Sequence, residues 1–67
     1  MNSAPEKIIT AADKLHCCER ELRLRYRVYP RLIDKQKMTQ RLADREIELM
    51  EQIAADYRAM AEKERLI

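Results

Sequence analysis

Apolar residues recur at spacings of three and four along most of the chain. Ala11, Leu15, Cys18, Leu22, Tyr26 and Tyr29 form one such series. Leu42, Ala43, Ile47, Met50, Ile53, Ala54, Tyr57, Met60 and Ala61 form a second. That periodicity is one face of an amphipathic helix, repeated twice. Between the two series, Lys35-Gln-Lys-Met38 reads as a turn. Thr39 stands where a threonine caps a helix, so the second helix is expected from about Gln40 to about Lys63. The first helix has two candidate starts. Ser3-Ala-Pro-Glu6 has the form of a capping box, and Thr10-Ala-Ala-Asp13 offers a threonine cap with an acid in the first turn. Residues 1–9 are therefore either helix or a frayed arm. Two long helices joined by a short turn predict an all-α fold, an antiparallel two-helix hairpin forming one domain over residues 1–67.

Pro30 interrupts the first series. Proline removes a helical hydrogen bond and crowds the preceding turn, so helix one is expected to kink near Val28 and continue to Asp34 or Lys35, with a stop and a short new helix from Pro30 as the alternative. Folding the helices about the turn brings Leu22 near Ile53 and Cys18 near Tyr57, and it places Arg25 and Tyr29 near Glu46 and Met50. Glu46 falls inside the apolar stripe of helix two. A carboxylate there needs a partner, which predicts a buried polar group of Glu46, Arg25 and Tyr29. Along helix one, Glu19–Arg23 and Glu21–Arg25 are i,i+4 pairs in the favourable order.

Both helices carry more apolar width than a single partner helix can cover. Cys17, Leu24 and Val28 lie beside the main stripe of helix one at i, i+7 and i+11. Leu42 and Leu49 flank that of helix two, with Ile53 and Met60 alongside. Such surplus marks a second helix–helix contact. A homodimer forming a four-helix bundle provides it, and so does a different protein; the competing reading is that Ile8 and Ile9, or Leu66 and Ile67, fold over the surface. The length of 67 residues favours the dimer, because a lone two-helix core is very small.

Composition narrows the functional classes. There is no glycine, so neither a P-loop nor a dinucleotide fingerprint can form. Charged residues make up 39% of the chain, consistent with solvated helix faces. No secretory signal or spanning segment is apparent, which predicts a cytoplasmic protein. Cys17 and Cys18 are adjacent, and on a helix their side chains diverge by about 100°. They cannot pair with each other, in keeping with a reducing compartment. His16-Cys17-Cys18 lacks the number and spacing of ligands that a metal needs, so no metal or cofactor is expected. A hairpin this small also lacks room for a catalytic pocket, so the chain is read as no enzyme.

Charge is unevenly spread. Residues 20–41 hold eight bases against two acids, a net +6, while residues 42–67 hold four against seven, a net −3. Arg20, Arg23, Arg27 and Arg31 share one side of helix one, opposite Leu22. Such a ridge can track a phosphate backbone, and it can equally be a solvated face or a dock for an acidic protein.

Several short words in the chain carry a resemblance. Ala11-Ala-Asp-Lys-Leu15, Glu19-Arg-Glu-Leu22, Arg27-Val-Tyr-Pro-Arg31, Met38-Thr-Gln40, Ala43-Asp-Arg-Glu-Ile47 and Ala55-Asp-Tyr57 together resemble short prophage and phage-associated proteins of proteobacteria. The resemblance spans about residues 10–60 of the sequence. Those relatives often carry glycine in the turn, where this chain has Gln36 or Lys37. The resemblance brings no activity or site residues with it. It implies a phage accessory or host-interaction protein, which predicts a non-catalytic, helix-mediated protein–protein contact, with a small nucleic-acid-binding accessory protein as the alternative.

Overall fold

The computed structural model describes residues 8–66. They form two α-helices and no strand: α1 over Ala11–Asp34 and α2 over Gln40–Leu66. The helices pack side by side as an antiparallel hairpin. The Ser3 capping box lies outside the described residues.

Each helix starts where a threonine supplies the missing acceptor. At α1 the amide of Asp13 donates to Thr10 Oγ1 at 3.1 Å, and the amide of Thr10 donates back to the Asp13 carboxylate at 3.0 Å. This reciprocal pair is a capping box with aspartate at the third helical position. The amide bond from Thr10, followed by the bond to its hydroxyl, holds the Asp13 carboxyl below its usual pKa. At α2 the amide of Leu42 donates to Thr39 Oγ1 at 3.1 Å. Helix α2 continues past Lys63 to Leu66, so it is a turn longer than its apolar pattern suggests.

α1 runs unbroken through Pro30 and ends in a Schellman turn. The amide of Lys37 donates to the Leu32 carbonyl at 2.8 Å, and that of Gln36 to the Ile33 carbonyl at 2.9 Å. This turn needs a left-handed residue, and Gln36 takes it with φ 60°. Glycine is the usual occupant because it has no Cβ to clash.

The seam between the helices is built from small residues. Only Ala11, Cys18, Ala43 and Ala54 are buried among the described residues. Ala43 and Ala54 are the tightest, at 2% and 1% exposure. Small side chains let two helices approach closely, and the larger apolar residues then lie along the margins of the seam. The open end is tied by Glu64, whose carboxylate accepts the Ala11 amide at 3.2 and 3.3 Å. This places an anion on an orphan donor at the N-terminus of α1.

Candidate interaction faces of the hairpin

Neighbouring residues on a helix point about 100° apart. Arg25 and Tyr26 therefore leave the seam on opposite sides, and their contacts identify the two broad faces of the hairpin. Tyr26 donates its hydroxyl to Glu51 Oε2 at 2.5 Å. On the same face Arg58 donates to Glu19 Oε2 at 3.2 Å. This face is laced across by polar bonds. The hydrogen bond to Glu51 pushes the Tyr26 phenol above its usual pKa.

Two expectations change here. Tyr26 is not part of the buried stripe but 49% exposed, because its ring leaves the seam to reach Glu51. Glu19 does not engage Arg23 but turns across to Arg58. Glu21 does pair with Arg25, at 3.0 Å.

Arg25 opens onto the other face. Its Nη1 donates to the main-chain carbonyl of Glu46 at 2.7 Å and lies 3.8 Å from the Glu46 carboxylate. Its guanidinium sits 5.9 Å from the centre of the Tyr29 ring. Arg25, Glu46 and Tyr29 thus meet, but they are not a buried group. The Glu46 side chain is 39% exposed, and the strong bond goes to its backbone. The seam is too narrow to bury a carboxylate at this margin. One helical turn beyond the seam's midpoint, Lys14 lies 5.4 Å from the centre of the Tyr57 ring.

Beyond these contacts the α2 side of the second face is apolar, while on α1 the Glu21 carboxylate that pairs with Arg25 also lies on it, its side chain 41% exposed. Leu24 is 43% exposed, Val28 is half-buried and Cys17 is exposed with a free thiol. On α2, Leu42, Leu49, Ile53 and Met60 point within about 40° of one another, at 100° per residue. They flank Glu46 and Tyr57, which meet Arg25 and Lys14, so they share the face of those two residues; Leu24 lies 100° further round α1 than Arg25, among Arg20, Glu21, Arg23 and Arg27. The exposures of the four α2 residues run from 40% to 50%. Among the described residues no side-chain hydrogen bond crosses this strip beyond Arg25–Glu46 and the Glu64–Ala11 tie at the open end. Ile8, Ile9 and Leu66 do not cover it, since they are themselves 78%, 67% and 78% exposed. Ile67 lies outside the described residues.

The outer edge of α1 carries the arginine ridge. Arg20, Arg23, Arg27 and Arg31 are all exposed. The ion pairs among the described residues use Arg25, Arg58 and Arg65, so none of the four ridge arginines is neutralised by a carboxylate. Among the described residues no cluster of three or more metal-ligating side chains occurs. Cys18 lies in the seam as a free thiol. Among the described residues no helix is long and apolar enough to cross a membrane.

Sequence reasoning found both flanking stripes but missed two features. The Glu64–Ala11 tie has no local signature, since the partners are 53 residues apart. The alanine seam was visible only as the smaller members of the apolar series. No family model, curated protein or solved structure matches the chain.

Proposed function

We propose that this chain is a non-catalytic, phage-type accessory protein that acts by helix-mediated protein–protein contact, and that its first partner is a second copy of itself. The observation that carries this reading is the apolar strip of α2, with Leu42, Leu49, Ile53 and Met60 all at least 40% exposed on one side of a thin hairpin. A hairpin whose seam is four small residues gains little from its own core. Two apolar faces brought together supply the missing burial and give a four-helix bundle. A bend at Pro30 belongs to the same proposal, because it curves α1 along the bundle. The setting is cytoplasmic, where Cys17 and Cys18 stay reduced.

Sedimentation equilibrium tests the proposal. The wild-type chain is expected to be dimeric, and Leu49→Glu with Ile53→Glu is expected to give a helical monomer. A wild-type chain that stays monomeric at millimolar concentration rejects it.

The ridge supports a second reading, binding to nucleic acid. Four exposed arginines without carboxylate partners, spread over about 16 Å of helix at 1.5 Å per residue, suit a run of phosphates. Anisotropy titrations with duplex DNA and single-stranded RNA should then show binding that weakens steeply with salt. Binding unchanged by Arg23→Glu with Arg27→Glu sinks this second reading.

A further inference from the structure

We infer that the second copy docks antiparallel, with α2 of one copy laid on α2 of the other and the two-fold axis crossing them at the height of Glu51; this rests on the docking strip proposed above and adds its geometry. The basis lies within α2 alone. Leu42, Leu49, Ile53 and Met60 are spaced by seven, four and seven residues, a series that reads the same from either end. Leu42 and Met60 stand nine residues to either side of Glu51, and Leu49 and Ile53 stand two. A two-fold axis across the helix at that height therefore lays Leu42 on the partner's Met60 and Leu49 on the partner's Ile53. Every member of the strip meets an apolar side chain, along about 27 Å of helix. The contact is self-complementary, as a symmetric dimer requires. Glu51 itself turns away to Tyr26, so its charge does not sit on the axis.

Charge beside the strip favours this orientation over a parallel one. Glu46 and Asp56 border the strip, about 40° to either side of its midline, and each is five residues from Glu51. Glu46 has Arg25 beside it. Asp56 and Arg45 are both exposed, and neither has an ion pair among the described residues. Both lie on the same side of the midline. The axis preserves side and inverts height, so Arg45 of each copy comes opposite the partner's Asp56, within one residue of matched height. Two such pairs form in the dimer. A parallel contact instead sets Asp56 level with the partner's Asp56. The one base within a turn of it, Arg58, is directed to Glu19 on the laced face. Opposite charges at matched positions set orientation more than affinity.

The strip lies about a third of a turn round α2 from Ala43 and Ala54, so α1 does not stand in the way of the contact. Because the axis preserves side, both α1 helices lie on one side of the α2 pair. Their arginine ridges, on the edge of α1 away from the seam, then face outward together on that side.

Two readouts on the full chain test the orientation. Leu42→Cys and Met60→Cys are made separately, each with Cys17→Ala, and oxidised with diamide alone and after mixing. A covalent dimer is expected in the mixture and in neither variant alone. A Met60→Cys chain that cross-links to its own copy marks a parallel contact and overturns the inference. In the second, Arg45→Asp is expected to weaken the dimer about tenfold in sedimentation, and Arg45→Asp with Asp56→Arg to restore it to within about threefold of wild type. Along one chain these two positions are eleven residues apart, roughly 16 Å, so only a partner can supply the rescue. A dimer that gives no mixed cross-link, or that the charge exchange does not restore, overturns the orientation and leaves the docking strip standing. A monomeric wild-type chain removes the strip and this geometry together.

Discussion

The two broad faces of the hairpin are made from the same two helices, yet they are finished differently. One is laced across by Tyr26–Glu51 and Glu19–Arg58. The other has its cross-helix polar contacts drawn in close to the seam, at Arg25–Glu46 and Lys14–Tyr57, and carries the exposed apolar strip of α2 beyond them. Polar bonds that cross between helices satisfy a surface and leave little to offer a partner. An apolar strip does the reverse, since its large side chains gain only when water is removed from them. The difference is that polar bonds between the helices finish one side of the seam, and exposed apolar side chains of α2 finish the other.

The seam keeps these faces distinct, so widening it should do the most damage. Ala54→Leu forces a large side chain into a site that is 1% exposed. It is expected to destabilise the hairpin by about 1–3 kcal/mol, through overpacking, in urea unfolding followed by circular dichroism. Removing the cap at Thr10 touches neither face. Thr10→Ala should cost about 1 kcal/mol by the same measurement. Gln36→Gly acts in the opposite direction by relieving a left-handed side chain. It should stabilise by about 1 kcal/mol and raise Tm by about 4–8 °C.

The smallest effects separate the faces themselves. Tyr26→Phe should lower hairpin stability slightly by deleting the bond to Glu51. Leu49→Gln should leave a dilute hairpin within about 0.5 kcal/mol of wild type, while weakening association. Alkali gives a further handle on the laced face. The folded chain raises the pKa of Tyr26 relative to the unfolded chain. The contribution of that bond is therefore complete below the usual tyrosine pKa and is lost as pH rises through the raised value. An alkaline titration of Tyr26→Phe should lack this loss.

Much of this arrangement could be read from the residues. Thr10 and Thr39 are capping residues placed immediately before periodic apolar runs, and both helices start there. Cys17, Leu24, Val28, Leu42 and Leu49 were legible as surplus width because spacing alone decides which side of a helix a residue takes. What spacing does not reveal is where a side chain goes at the margin of a seam. Tyr26 reads as core by its distance from Leu22, but its hydroxyl has a better partner in Glu51. Glu19 has a local partner in Arg23 and takes a distant one. Glu46 looked trapped only because the seam was imagined as wide as its Leu, Ile and Met residues; alanines draw the helices together and push that margin into water. The candidate surface was thus visible as two separate stripes, whereas how they sit relative to one another depends on the helical register, which spacing within one helix does not reveal.

The bond from Ala11 to Glu64 has a consequence for how the molecule breathes. Amides in the first turn of a helix lack an intrahelical acceptor and ordinarily exchange their hydrogens with solvent readily. The Ala11 amide, on a residue only 5% exposed, is instead held by the exposed Glu64 carboxylate in the last turn of α2. Its hydrogen can leave only when that last turn opens. In local-unfolding language, the start of α1 and the end of α2 make one opening unit rather than two frayed ends. Glu64→Ala should release the Ala11 hydrogen to fast exchange while the amides of the Schellman turn keep their protection.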